Sequence, residues 1–231
     1  MIRTVAETGS TNADILSLAL TGAGEGLWLR AERQTAGKGR QGRAWVSPAG
    51  NLYISTLVRV RPSDPSPATL ALLSAVALEE AVRAFGVSPM LKWPNDLLIS
   101  GAKLSGILLE RAGDAIAVGI GVNLAAAPEG LDRAATSLAA QGVTVAPDIF
   151  AEVLAESFGR WLERWRGEGM WPVRERWLAR AHPEGTALTA RLADGLSFDG
   201  LFGGLDSNGA LILRLADGAT RAIHAGDVFL L

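Results

Sequence analysis

Apolar and polar positions change period several times along the chain, and each change marks an element. Ile2 to Glu7 alternates as a strand does. Thr8-Gly-Ser-Thr-Asn then reads as a turn into a helix from Asn12 to Leu20, with Ser10 or Thr11 as N-cap and Asp14 as a capping-box partner. The same helix start presents donors to a polar ligand group, so capping and binding are compatible readings. Leu27 to Arg33 and Asn51 to Val60 are strand-like, with a glycine-rich basic loop between them. Arg61-Pro-Ser-Asp-Pro-Ser-Pro is a linker with turn chemistry. A leucine- and alanine-rich helix follows from Ala68 to Phe85 and stops at Gly86.

Met90 to Lys92 is a short strand, and Leu97 to Ser100 and Lys103 to Glu110 flank a hairpin turn at Gly101-Ala102. Ala115 to Val122 is a further strand. Strands that follow one another with few helices between them predict an α+β fold. Its sheet is mixed or antiparallel, with helices on one face. Pro147 to Trp165 and Trp171 to Ala181 read as helices whose tryptophans, Trp161 and Trp165 above all, belong to the core. From Gly185 onward short strands are punctuated by Asp194-Gly195, Asn208-Gly209 and Asp217-Gly218, all favoured hairpin turns. That pattern predicts a small five-stranded SH3-like β-barrel. The expected division is a catalytic domain over 1–183 and a C-terminal domain over 184–231.

Composition narrows the chemistry. The 231 residues carry 22 Lys and Arg against 24 Asp and Glu, a net charge of −2, so any basic site is local. There is no cysteine, which excludes disulfides, thiolate nucleophiles and thiolate metal sites. Two histidines, His182 and His224, lie far from the motif-rich half and make a histidine metal site or a Ser-His-Asp triad improbable. The N-terminus shows no secretory signal, and the longest apolar stretch, near Ala68 to Leu78, falls well short of the ~20 residues that a bilayer requires. A cytoplasmic setting without membrane attachment is expected.

The basic loop reads Gly37-Lys-Gly-Arg-Gln-Gly-Arg-Ala-Trp45. Glycines let backbone N–H groups approach a ligand, and the cations neutralise phosphate or carboxylate. Gly37, Gly39 and Gly42 also fit the dinucleotide fingerprint G-x-G-x-x-G, but that motif requires a helix to open at its end. Arg43-Ala-Trp-Val-Ser-Pro opens none. A solvated basic turn or a nucleic-acid patch is the remaining plain alternative.

This loop, with Lys92-Trp-Pro-Asn-Asp96, Lys103-Leu-Ser-Gly-Ile-Leu and Gly119-Ile-Gly-Val-Asn123, resembles the motifs of biotin–protein ligases, in the family's order and at compatible spacings. The resemblance covers nearly the whole chain. It implies a class II synthetase-like catalytic domain that joins biotin to ATP as biotinyl-5′-AMP, releases pyrophosphate, and transfers biotin to a lysine of a biotin carboxyl carrier protein. It further implies that Ser10, Thr11, Asn12 and Gln34 bind the ureido end of biotin, and that Gly37, Lys38, Gly39 and Arg40 close over biotin and the phosphates. Gly106 belongs to the biotin site. Trp45 would lie against adenine, and Asn123 would hydrogen-bond it. Lys92, Asn95 and Asp96 would shape the ATP site, with Asp96 the candidate for Mg²⁺ or for orienting the incoming lysine amine.

Lys103 is the expected catalytic residue, with Arg40 beside it: a compact ammonium can bridge the biotin carboxylate and the α-phosphate. On spacing alone Lys103 is an exposed hairpin lysine, and Pro-Asn-Asp is a capping turn. Lys38 departs from the arginine frequent in the family, which keeps the charge and loses the fork. The resemblance implies the short form of the ligase, without the N-terminal DNA-binding domain, so no DNA partner is expected. Sheet-edge homodimers are compatible with it. The alternatives are a lipoate–protein ligase, which shares the adenylation logic, and a non-catalytic biotin or nucleotide binder.

Overall fold

The computed structural model describes residues 1–128 and 134–231. Its larger sheet has seven strands: β1 (Ile2–Thr8), β2 (Trp28–Gln34), β3 (Leu52–Arg59), β4 (Met90–Lys92), β5 (Asp96–Ile99), β6 (Ala102–Ala112) and β7 (Ala115–Val122). Their spatial order is β1-β2-β3-β7-β6-β5-β4. Only β1 and β2 run parallel, joined across α1 (Thr11–Leu20); the other pairs are antiparallel, so the sheet is mixed as expected. The hairpin turn falls one residue earlier than predicted. Ser100 (φ 49°) and Gly101 (φ 82°) form it, and Ile99 pairs with Ala102. Two successive positive φ values are what a two-residue hairpin with native twist requires.

Register sorts the side chains of the sheet. Leu52, Ile54 and Val58 of β3 share a face with Val122, Ile120 and Ile116 of β7. That face is continuously apolar and carries α2 (Leu70–Ala84), α3 (Pro147–Glu168) and α4 (Trp171–Leu178). The opposite face carries Tyr53, Ser55 and Leu57 against Gly121, Gly119 and Ala117. Here α1 packs, with Ile15 and Ala19 on Leu29, Leu57 and Ala117 as a separate small core. Helices therefore lie on both faces, which corrects the one-face expectation. The reason is the crossover: a helix joining parallel neighbours must cover one face, and the small residues of β7 leave it room.

Core placement follows the sequence with two exceptions. Trp161, Trp165 and Trp177 are buried, while Trp171, at the start of α4, is 66% exposed. The indole N–H of Trp161 donates to Glu80 at 2.8 Å and that of Trp165 to Thr69 at 2.8 Å, which satisfies their polar atoms. Glu79, which reads as the polar stop of an apolar run, is 0% exposed. Its carboxylate sits among Arg83, Arg176 and Arg180 and ties α2 to α4. No helix among the described residues is long and apolar enough to cross a membrane.

The second sheet contains β8 (Ala187–Arg191), β9 (Ser197–Leu205), β10 (Leu211–Arg214), β11 (Thr220–Ile223) and β12 (Asp227–Leu230) in the order β11-β10-β9-β8-β12. The five strands and their Asx-Gly turns are those expected, with Gly195, Gly209 and Gly218 all at positive φ. The pairing is antiparallel and does not close β11 onto β12. Leu188, Phe202 and Val228 join the same continuous core as the large sheet, and Trp93 donates its indole N–H to Gly209 O at 3.1 Å. The two sheets are thereby held in fixed relation around a cavity.

Candidate active site

The cavity has a volume of about 730 Å³ and lies on the α1 side of the large sheet, closed at one end by β8 and β12. Its floor is made by glycine. Gly106 of β6 pairs with Gly121 of β7, so two positions that would carry side chains leave a trough. The Trp45 indole lies in it: a Cβ at Gly121 would stand 2.5 Å from Trp45 Cε2, and one at Gly106 3.0 Å from Trp45 Cζ3. A Cβ at Gly119 would run into the Asn12 amide. Only glycine at these positions lets Trp45 and Asn12 reach the sheet.

At one end α1 supplies a buried polar cluster. Ser10, Thr11 and Asn12 line the cavity, and Ser10 holds the N-cap position with no side-chain capping bond. Asp14 accepts from Thr8 Oγ1 at 2.6 Å rather than closing a capping box. Ser10 is thus at the expected N-cap position, while the side-chain capping bond and the Asp14 capping box are corrected. Ser55, fully buried on β3, lies 2.7 Å from both Thr11 Oγ1 and Asn12 Oδ1. Because amide oxygens only accept, the Ser55 hydroxyl donates to Asn12 Oδ1, and the single Thr11 hydroxyl proton is shared between Ser55 Oγ and Gln34 Oε1, 3.1 Å away. The Asn12 NH₂ donates to Glu110 at 2.9 Å, and the Thr11 N–H to Gln34 Oε1 at 2.8 Å. Tyr53 completes this wall. Burial pushes its phenol up to about 12, and its O–H donates to Pro48 O at 2.6 Å.

Over the trough the basic loop folds as a tight hairpin. Trp45 N–H donates to Gly37 O at 2.9 Å and Gly39 N–H to Arg43 O at 2.7 Å, with Gln41 (φ 57°) and Gly42 (φ 72°) at the tip. Gly37 itself does not line the cavity. A Cβ there would meet Trp45 O at 2.7 Å, so its requirement is close packing of the loop base. Arg40 reaches Gly226 O at 3.1 Å, Asp227 at 3.4 Å and Asn95 Oδ1 at 3.4 Å. Desolvation lowers the Arg40 pKa, opposed by the charges of Asp227 and Asp96. Arg43 also pairs with Asp227.

Lys103 stands at the centre, 9% exposed, and pairs with Asp96, 6% exposed. Its ammonium also lies 5.6 Å from the Trp45 ring centroid. It is not the exposed hairpin lysine that spacing alone suggested. β5 and β6 place the pair: both residues lie near the hairpin, and a register shift between Leu97 and Leu98 brings Asp96 opposite Gly106. Asn95 is anchored by Nδ2 to Ile107 O at 2.7 Å. The Asn123 NH₂ donates to Thr136 O at 3.0 Å, so its amide holds the 134–138 segment beside Lys103 while lining the cavity.

The structure thus gathers Ser10, Thr11, Asn12, Gln34, Lys38, Gly39, Arg40, Trp45, Lys92, Asn95, Asp96, Lys103, Gly106 and Asn123 around one cavity. Of the expected site residues only Gly37 stays behind the wall. Sequence reasoning missed Ser55 and the C-terminal residues Arg191, Asp227 and Phe229, and it quoted Gly119 and Gly121 within a motif without giving them a role. The glycines carried a signal, since glycine repeated within a strand marks close approach. The C-terminal residues carried none. No group of three or more metal-ligating side chains occurs among the described residues, and Asp96 pairs with Lys103. Mg²⁺ commonly takes one or two carboxylates together with substrate phosphates and water, a set into which the single Asp96 carboxylate on the cavity wall fits.

A mixed sheet with a glycine trough, a polar pocket at one end and a cationic loop above it defines a protein that holds a small ligand with a polar head beside an anionic one. The comparisons agree. Residues 8–125 match the biotin/lipoate A/B protein ligase family, and residues 189–231 match the biotin protein ligase C terminal domain. A biotin–acetyl-CoA-carboxylase ligase of Paracoccus denitrificans is 42% identical over 97% of this chain and 98% of its own. One from Mycobacterium tuberculosis is 39% identical over 97% of this chain and 86% of its own. Among solved structures, a biotin protein ligase from Aquifex aeolicus in complex with biotin and ATP superposes with a TM-score of 0.89 at 24% identity, covering 100% of this chain and 99% of that one. A Leishmania major biotin protein ligase in complex with biotinyl-5-AMP gives 0.69 at 27% identity, covering 97% and 98%. The chain belongs to the biotin/lipoate A/B protein ligase family, and it has the biotin protein ligase fold.

Proposed function

We propose that the chain is an ATP-dependent biotin–protein ligase that makes biotinyl-5′-AMP and transfers biotin to a lysine of a biotin carboxyl carrier protein, the acetyl-CoA carboxylase carrier first. The observation that carries this reading is the buried Lys103–Asp96 pair, set beside Trp45 between the polar pocket and the cationic loop. In the first step a carboxylate oxygen attacks the α-phosphorus and pyrophosphate leaves. In the second the lysine amine attacks the acyl carbon and AMP leaves. Neither step requires an enzyme nucleophile; both require fixed cations where anions meet.

Thr11, Asn12 and Gln34, oriented by Ser55 and Glu110, are assigned to the ureido end, with Ser10 beside them. The trough at Gly106 takes the apolar chain once Trp45 moves toward adenine. Lys103 bridges carboxylate and α-phosphate, and Asp96 keeps its ammonium aimed. Arg40, Lys38 and Lys92 serve the phosphates, with Gly37, Gly39, Asn95 and Asn123 holding the frame. Mg²⁺ would arrive with the nucleotide, with the Asp96 carboxylate as its candidate protein ligand. The domain division at 183/184, a cytoplasmic location, the absence of a DNA or membrane partner, and sheet-edge dimers extend the same reading.

Incubation with labelled biotin, ATP and an isolated carrier domain should label the carrier, with pyrophosphate release that requires biotin. The family also contains lipoate ligases, so lipoate belongs in a parallel reaction. Lipoylation without biotinylation would overturn the assignment.

A further inference from the structure

Residues of the second sheet reach into the same cavity, and no motif singled them out. Arg191 on β8 and Asp227 on β12 are register partners, and Phe229 follows two positions beyond Asp227. Alternation puts all three side chains on one face, the face that closes the cavity. Their electrostatic roles differ. Asp227 is engaged by Arg40 and Arg43, and Asp96 by Lys103. Arg191 makes no ion pair among the described residues; its guanidinium lies 5.1 Å from the Phe229 ring centroid. Lys92 approaches the same ring, at 5.8 Å. The cavity wall carries six cationic side chains against two carboxylates, a surplus that suits a polyphosphate.

We propose that Arg191, steadied by Phe229 and working with Lys92, is the subsite for the distal phosphates of the nucleotide and for the pyrophosphate they become. The inference rests on the adenylation reading. When the biotin oxygen bonds to the α-phosphorus, the bond from that phosphorus to the bridging oxygen breaks, and its electron pair leaves on pyrophosphate. A cation must then meet that leaving group away from Lys103, which stays with the new adenylate. Arg191 is set apart for this: it comes from the other sheet, and its planar fork matches phosphate oxygens. The same cations would also attract an acidic flank of the acceptor, the competing occupant that the transfer assay separates from pyrophosphate.

Isotope exchange between ATP and pyrophosphate, with biotin and no acceptor, reads the subsite directly. Arg191→Ala is expected to raise the KM for pyrophosphate and for ATP about tenfold, in the range for one charged hydrogen-bonding group at a screened rim. The KM for biotin should not move. Arg191→Lys should recover part of the loss, and Phe229→Leu should reproduce part of it. Transfer from preformed biotinyl-5′-AMP to a carrier domain should proceed at the wild-type rate, because no pyrophosphate is involved. An unchanged pyrophosphate KM in Arg191→Ala overturns the subsite. Slowed transfer with normal exchange also overturns it and places the acceptor there. If the wild-type chain shows no biotin-dependent exchange, the ligase reading has failed rather than this one.

Discussion

Removing the Lys103 ammonium tests the site and the fold together. Spacing alone suggests that the loss is harmless to folding, since a hairpin lysine touches little. In the structure Lys103 and Asp96 are 9% and 6% exposed and paired, so Lys103→Met takes a charge partner away from a buried carboxylate. Breaking a buried pair from one side costs about 3–5 kcal/mol. The Arg40 guanidinium also faces the Asp96 charge, so the low end, about 3 kcal/mol, is expected. In a chain of this size that lowers the melting temperature by roughly 6–12 °C. Lys103→Met with Asp96→Asn removes both charges and should recover most of the loss. Activity should not recover: adenylate formation, measured as pyrophosphate release with biotin and ATP, should fall about 10²–10³-fold in single and double variants alike. Arginine at 103 should not restore it, because a planar fork does not replace a point charge. A near-normal pyrophosphate burst from a folded Lys103→Met protein would refute the catalytic assignment, which would pass to Arg40. An unchanged melt would refute the buried pair.

Three further outcomes follow from other parts of the molecule. Gly121→Ala places a methyl 2.5 Å from Trp45 Cε2, inside the trough assigned to the apolar chain of the ligand, and so narrows the space that chain needs; biotin affinity measured by calorimetry should weaken about tenfold while stability changes by about 1–3 kcal/mol, and unchanged binding would remove the trough from the site. Proteolysis at Lys38, Arg40 or Arg43 should slow when biotin and ATP are added, because the loop hairpin is held to the second sheet by few contacts; equal cleavage with and without ligands would count against ligand-driven closure. Hydrogen bonding by Arg166 lowers the Glu25 pKa, so Glu25 stabilises the fold above its unfolded pKa of about 4.3, and that contribution is lost as pH falls through the folded value. Glu25→Gln should therefore melt lower at neutral pH, and its curve should converge with the wild type in acid; parallel curves down to pH 2–3 would contradict the linkage.

Much of this was legible along the chain because it is local. Alternation, Asx-Gly turns and the Gly86 stop depend on neighbours within a few residues, so the strands, the long helices and the antiparallel second sheet could be read directly. The motif residues, too, converge on one cavity, with Gly37 alone behind its wall. What the sequence could not decide was set by partners far away. Ser10 looks like a cap, but the fold brings Ser55 and Gln34 to its neighbours Thr11 and Asn12, and the polar groups turn inward. Lys103 looks exposed until β5 and β6 set Asp96 beside it and the Trp45 loop closes above. Glu79 reads as a polar stop until α4 and the turn after it set Arg176 and Arg180 against it. Arg191, Asp227 and Phe229 carry no local signal, since a cation, an acid and an aromatic on a terminal hairpin are ordinary surface chemistry. Only the packing of the second sheet against Trp93, about which local periodicity is silent, turns that face toward the cavity and makes it part of the site.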